Sequence, residues 1–278
     1  STSLTVQMGN GDGTLTAIQS FDGLDQALRL DHADFNGDGN IDIVLGSVGG
    51  NAEDIQVLFG NGDGSFGGKI TYDLGAEAHH VQVGDVTGDG IVDIIAGRTD
   101  GIEVLAGDGQ GNFSSSVLIA QANPTELRLA DFNNDGLLDI LSTNFVTDQT
   151  EIILSQGGAS FNSTGPVTTG DTASLFGLSE AAAIADINLD GFQDVIINAG
   201  TDLEINVFLG NGDGTLKAAQ TYDAGTDGAA AIDFSLADFN GDGYLDFTSI
   251  TILSNKRSAL VFGNGDGSFA AAQTDFSS

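Results

Sequence analysis

Cysteine is absent from the 278 residues, as is tryptophan, and there are only two prolines and one methionine. Without thiols the chain has no disulfides, no thiolate metal sites and no cysteine nucleophile. Basic residues are scarce too: 7 Lys+Arg stand against 40 Asp+Glu, a formal net charge of −33. Such a surface repels nucleic acid and anionic lipid, so neither is expected as a partner. No apolar run approaches the ~18 residues that cross a bilayer, so membrane insertion is not expected. The first residues lack the basic region followed by an apolar stretch that marks a secretory leader. Only three histidines occur, and there is no nucleophile motif. GNGDG is Gly-rich, but it precedes a strand pattern rather than a helix, which argues against phosphate binding. Catalysis is therefore the least supported role, and the chain is read as a non-enzyme.

What is present is hydrophobic residue (40%) and glycine (41 residues). The hydrophobic fraction separates the chain from acidic disordered sequences. Two motifs alternate along it. The first occurs five times: DFNGDGNID (Asp34 to Asp42), DVTGDGIVD (Asp85 to Asp93), DFNNDGLLD (Asp131 to Asp139), DINLDGFQD (Asp186 to Asp194) and DFNGDGYLD (Asp238 to Asp246). Successive starts lie 51, 46, 55 and 52 residues apart. The second occurs six times, beginning at Val6, Val57, Val104, Ile152, Val207 and Leu260, as in VLFGNGDGSF.

Each unit reads as four short strands. One leads into the Asp-rich loop and one leaves it; a third runs into the Gly-rich turn and a fourth follows. Asn-Gly and Asp-Gly between β-prone runs signal hairpins, because Gly accepts φ > 0. The Ala-rich stretch Glu180 to Ala185 aligns as a first strand. Four-stranded units of this period predict an all-β chain with β-propeller blades. The expected organisation is one repeat domain over 1–278. It has a half-repeat at 4–21 and Asp-loop repeats starting near 28, 79, 125, 180 and 232.

The five loops share D-x-[N/T]-x-D-G-x-x-D. A hard cation takes six to eight oxygens at about 2.3–2.6 Å. Side chains at positions 1, 3 and 5 converge when the loop curls: Asp34, Asn36 and Asp38; Asp85, Thr87 and Asp89; Asp131, Asn133 and Asp135; Asp186, Asn188 and Asp190; Asp238, Asn240 and Asp242. Gly at position 6 permits the bend. Position 7 offers only its carbonyl, so Asn40, Ile91, Leu137, Phe192 and Tyr244 are free to vary. Position 9 adds a carboxylate from Asp42, Asp93, Asp139, Asp194 or Asp246. Thr87 makes the second loop the weakest of the set. An EF-hand is excluded: its twelfth residue should be Glu, yet Leu45, Ala96, Ser142, Ile197 and Ser249 stand there, and the flanks read as strands. All-oxygen ligands in a many-ligand cage favour Ca²⁺ over zinc or magnesium. About five structural ions are expected.

These motifs resemble the FG-GAP/VCBS repeat family, related to the calcium-binding propeller of integrin α chains. The resemblance implies that the Asp loop joins the first and second strands of a blade and holds calcium. It also implies a secreted or cell-surface protein.

The chain begins and ends with the same piece, strands three and four of a unit, at about Leu4 to Phe21 and Ala259 to Phe276. Five loops thus accompany six Gly-turn hairpins, which leaves one hairpin to cap the array or to add to a neighbour's sheet. The resulting expectation is a calcium-stabilised extracellular structural or interaction module that self-assembles head to tail or adheres to surfaces. The alternative is a lectin-like propeller binding a glycan or protein ligand. His79 and His80 are the candidate pair for a metal or acid–base site. His32 reads as a packed histidine, because Val83, Leu129, Ile184 and Leu236 hold its place elsewhere. Arg29, Arg128, Glu126 and Asp233 read as a charge-satisfied channel wall. Tyr72, Tyr222 and Phe21 share one repeat position and read as packing residues; Tyr244 has no such explanation. Asn112 and Asn162 are sequons near Gly-turns, where exposure is expected.

Overall fold

The computed structural model describes residues 2–24, 27–47, 54–120, 123–144, 147–169, 182–199, 204–223, 231–251 and 258–273. Among them there is no helix, and so none long and apolar enough to cross a membrane. A two-stranded hairpin, β1 (Thr2–Gly9) and β2 (Leu15–Leu24), comes first. The sheet around the first Asp loop runs β3 (Ala27–Ala33), β4 (Asp42–Ser47), β5 (Ile55–Gly60) and β6 (Phe66–Tyr72). The second runs β7 (Ala78–Gly84), β8 (Asp93–Arg98), β9 (Gly101–Gly107) and β10 (Phe113–Ile119). The third comprises β11 (Glu126–Ala130), β12 (Asp139–Asn144), β13 (Gln149–Ser155) and β14 (Phe161–Ser163), with β15 (Val167–Thr168) also on β13. The fourth is β16 (Ala182–Ala185), β17 (Asp194–Ala199), β18 (Glu204–Phe208) and β19 (Gln220–Asp223). The fifth is β20 (Ala231–Ala237), β21 (Asp246–Thr251) and β22 (Ser258–Val261). Glu180 and Ala181, where the fourth first strand was expected to begin, lie outside the described residues.

Among the described residues the pairings are antiparallel and, apart from β13 with β15, join consecutive strands, as in Ile43↔Leu58 and Val57↔Ile70. The second strand β8 is buried along its whole length, and β4 at every residue but Ile43. Their continuous apolar runs follow from that burial.

The chain divides into two compact units, Ser1–Leu127 with Ser155–Phe161, and Arg128–Leu154 with Asn162–Ser278. In the first, Phe35, Val44, Ile55 and Val57 pack against Val81, Ile94, Leu105 and Phe113. Leu4 and Phe21 of the hairpin pack on Leu45 and Leu58, and the Phe21 and Phe66 rings meet edge to face. In the second unit, Phe132, Leu141 and Ile152 pack against Val195, Ile197 and Phe208. Ile196, Ile205 and Val207 pack against Phe247, Val261 and Phe269. At roughly 25 cal/mol per Å² of apolar surface, these interleaved aliphatic layers are the main driving force for the fold.

The two terminal hairpins differ. The C-terminal one completes the fifth sheet: β22 pairs with β21, and bridges join Leu260 to Gln273 and Gly263 to Phe269. Residues 274–276 of that expected piece lie outside the described residues. Among the described residues, β1 of the N-terminal hairpin pairs only with β2.

Candidate metal centre

Each Asp loop joins the first and second strands of its sheet and curls the same way. The position-1 carboxylate collects the backbone. Asp34 Oδ1 accepts from the Gly37 and Asp38 N–H groups at 2.8 and 3.2 Å, and its Oδ2 accepts from Gly39 at 2.8 Å. Asp85, Asp131, Asp186 and Asp238 repeat this, with Gly90, Gly136, Gly191 and Gly243 donating at 2.7–2.9 Å. Those glycines have φ of 84–90°, the left-handed region the bend requires. The position-5 carboxylate accepts from the N–H of position 7: Asp38 from Asn40, Asp89 from Ile91, Asp135 from Leu137, Asp190 from Phe192 and Asp242 from Tyr244, all at 2.8–2.9 Å. Asn36, Asn133, Asn188 and Asn240 sit against it, each donating its amide to the position-5 Asp at 2.8–3.1 Å. Thr87 instead places its hydroxyl 3.5 Å from Asp85 and donates its N–H to Asp93 at 3.0 Å.

Position 9 has a role that spacing alone does not reveal. Asp42, Asp93, Asp139, Asp194 and Asp246 are completely buried. One oxygen accepts from position 2 of its own loop, from Phe35, Val86, Phe132, Ile187 or Phe239, at 2.9–3.1 Å. For four of them, the other accepts from the glycine that ends the third strand: Gly60 to Asp42 at 2.8 Å, Gly107 to Asp93 at 3.1 Å, Gly210 to Asp194 at 2.8 Å and Gly263 to Asp246 at 2.9 Å. The third sheet has Ser155 in place of this glycine, and its hydroxyl donates to the Val86 carbonyl at 2.7 Å.

Burial pushes the Asp42, Asp93 and Asp194 carboxyls above the ordinary carboxylate value, against the pull of the glycine N–H groups. The charges of Asp38 and Asp34 push Asp42 up further, as Asp89 does for Asp93 and Asp190 for Asp194. Meanwhile the Gly39 and Gly243 N–H groups hold Asp34 and Asp238 below that value. Each loop therefore concentrates like charge at its base. Among the described residues, no three His, Asp or Glu converge closely enough to hold an ion alone. An ion in these loops would also draw on the Asn or Thr oxygen and on the position-7 carbonyl. The donor set is all oxygen, and in each loop oxygens such as Asp34 Oδ2 and Asp38 Oδ1 accept from a single N–H and keep a lone pair free. It fits a hard cation.

Position 4 went unremarked in the sequence pattern. Gly37, Gly88 and Gly241 have φ of 73–79°, but Asn134 (58°) and Leu189 (60°) take the same left-handed turn without being glycine. Position 7 is more than a carbonyl. A Cβ on Gly212 or Gly265 would come within 2.3 Å of the Phe192 or Tyr244 ring. These side chains cover the Gly-turn, which accounts for Tyr244.

Other readings resolve as follows. Tyr72 and Tyr222 are packing residues, edge to face with Phe113 and Phe269. His32 is not packed: its side chain is 63% exposed, with Nδ1 3.7 Å from Asp31. At the same repeat position Val83, Leu129, Ile184 and Leu236 are half-buried. His79 is the extra residue of a bulge in β7, between the Ala78↔Arg98 and His80↔Gly97 pairs; His80 is buried and His79 half-buried. Arg98 is the buried cation the sequence did not single out: it bonds Glu103 and clamps both oxygens of Asp100 at 2.9 and 3.0 Å. Arg128 donates to the Ala182 carbonyl at 3.3 Å, and Glu126 is buried. The side chain of Asp233 lies outside the described residues. Asn112 and Asn162 are both exposed.

A profile of the FG-GAP-like repeat matches residues 34–96, 85–142, 131–197 and 186–249, each match running from one Asp loop through the next second strand. The chain belongs to the FG-GAP-like repeat family. Among curated relatives, this FG-GAP chain is 38% identical to Mus musculus integrin alpha-3 over 82 residues, 26% of its own length and 8% of the integrin's. It is 29% identical to Mus musculus integrin alpha-7 over 134 residues, 43% of its length and 11% of that chain. It therefore spans only about a tenth of the curated relatives it matches. Among solved structures, it resembles an Agrocybe aegerita lectin described as recognising non-reducing terminal N-acetylglucosamine. That match has a TM-score of 0.68 and 21% identity, over 97% of this chain and 73% of the lectin. The likeness, together with sheets of four antiparallel strands, makes the FG-GAP chain a β-propeller fold.

Proposed function

We propose that the chain is a calcium-braced binding module of an extracellular surface, engaging protein or glycan ligands. The repeated loop geometry carries this reading. Five times, position-1 and position-5 carboxylates and an Asn or Thr are gathered over a buried position-9 Asp, and burial raises three of these, Asp42, Asp93 and Asp194. Carboxylates so grouped repel one another unless a cation intervenes. Bound Ca²⁺ would supply charge neutralisation and no chemistry. Asp34, Asn36, Asp38, the Asn40 carbonyl and Asp42 would hold it in the first loop, with their equivalents in the other four. Oxygen-only sites of modest affinity suit the millimolar calcium outside cells.

Membership of the FG-GAP-like family, integrin alpha-3 and alpha-7 as relatives, and the lectin likeness support a ligand-binding role over a catalytic one. Adhesion between surfaces, or head-to-tail self-association, is the specific form we favour. The test pairs calorimetric calcium titration with thermal melting in chelator, followed by glycan-array and solid-phase protein binding with and without calcium. The expected result is a calcium-dependent melt and calcium-dependent ligand capture. Identical melts in calcium and in chelator would sink the reading.

A further inference from the structure

The second Asp loop departs from the other four, and the turn that faces it departs as well. In the other loops the position-3 amide closes the curl from within. Its oxygen accepts from the position-5 N–H: Asp38 donates to Asn36 at 2.9 Å, Asp135 to Asn133 at 3.1 Å, Asp190 to Asn188 at 3.0 Å and Asp242 to Asn240 at 2.8 Å. Its nitrogen donates to the position-5 carboxylate. Thr87 has no amide and makes neither bond to Asp89, whose N–H is left with Asp85 Oδ1 at 3.1 Å.

The turn of the third sheet, residues 156–160, reaches this loop in its own way. Two other turns touch the facing Asp loop with a single backbone N–H, from Gly111 to the Phe35 carbonyl at 3.0 Å and from Gly214 to the Phe132 carbonyl at 3.2 Å. The third turn makes two bonds, both shorter. The Ser155 hydroxyl donates to the Val86 carbonyl at 2.7 Å and accepts from the Gly157 N–H at 3.2 Å. The Gly158 N–H donates to the Thr87 carbonyl, also at 2.7 Å. Ser155 stands where the other sheets have Gly60, Gly107, Gly210 and Gly263. Gly158 stands where other turns have Asp63, Gln110, Asp213 and Asp266, and its φ of 60° lies in the left-handed region that glycine enters freely. Ser155 and Val86 are fully buried and Thr87 is 7% exposed, so water does not compete for these bonds.

We propose that Ser155, with Gly158, is the positioning residue of the second ion site: it holds that loop's curl from the neighbouring strand, ion or no ion, in place of the missing amide. The inference deepens the calcium reading and rests on it for the ion. A loop held from outside keeps Asp85, Asp89 and the Ile91 carbonyl together before a cation arrives, so less ordering opposes binding. The other loops close on their own side chains and gather like charges there unaided. One odd loop matched to one odd turn thus gives the chain a site that stays formed when calcium is withdrawn.

Hydrogen exchange of the full chain in chelator tests the clamp without any variant. The Asp89 and Gly90 amides should exchange about tenfold or more slower than Asp38 and Gly39 in the first loop, the scale of one buried hydrogen bond. Equal rates overturn the proposal. A calcium titration followed by NMR at the loop glycine amides then reads each site separately. Ser155→Ala should weaken calcium binding about tenfold at Gly90 and leave Gly39 unmoved. Adding Thr87→Asn should recover most of that loss, because the new amide closes the loop as that of Asn36 does. A uniform loss at every loop glycine marks Ser155 as a packing residue and overturns the proposal. So does a Ser155→Ala effect of equal size with and without Thr87→Asn. If no loop glycine responds to calcium, the calcium reading fails, and the exchange comparison still decides whether the second loop is held from outside.

Discussion

A single carboxylate in each loop faces two tasks, and they separate by mutation. Asp42→Ala strands the Phe35 and Gly60 N–H groups in a buried site. At about 1–3 kcal/mol per orphaned group, it should cost roughly 2–5 kcal/mol in chemical denaturation, with or without calcium. Asp38→Ala removes an exposed acceptor; in chelator it should change stability by less than about 0.5 kcal/mol, yet it should abolish calcium's stabilising effect at that loop. Leu189 is a separate case, 60% exposed and held at φ 60°. Left-handed backbone costs a non-glycine residue about 1–2 kcal/mol, and Asn tolerates it better. Leu189→Asn should therefore raise the melting temperature, as Asn134 at the same loop position suggests. The carboxylates at positions 1 and 5 were legible from their spacing alone. The second duty of position 9 was not, because the Gly60 N–H it binds lies 18 residues away on another strand. His32 was misread as packed because apolar residues hold its place in the other repeats, whereas its own side chain is exposed.

At the scale of the strand and turn, the glycine closing the third strand is the contact on which loop and sheet meet. Gly263→Ala would drive a Cβ to 2.2 Å from the Leu245 carbonyl oxygen. Overpacking against backbone costs about 1–3 kcal/mol or more, so this variant should melt earlier than the unaltered chain by a margin plain in a thermal scan. The strands themselves could be read in advance. Apolar runs such as IDIVLG and VDIIAG, bounded by Asp loops and Gly-turns, became β4 and β8. The repeat also marked Tyr72 and Tyr222 as packing residues before their rings were placed against Phe113 and Phe269. Which terminal hairpin is the extra one could not be read, since both carry the same motif. Pairing of β22 with β21 decides it.

For the molecule as a whole, the charge of −33 is the governing quantity. A ligand that binds only the folded state stabilises it by about 2.7 kcal/mol at a hundredfold excess over its Kd. Five such ions acting together should make the melting temperature depend steeply on free calcium, and adding chelator should lower it by many degrees. Calorimetry across a calcium series checks both. The all-β class and the four-stranded unit were legible because two motifs share one period. The division into two compact units was not, since the repeat runs through their boundary without a change in composition.

The buried Asp clip has a further consequence, for how the protein is made. It joins partners only 7 and 18 residues from Asp42, and 7 and 16 from Asp194. Short-range closure of this kind speeds folding and limits the time an unfinished edge stays bare. A nascent chain can thus secure each sheet soon after it leaves the ribosome, before the next is synthesised.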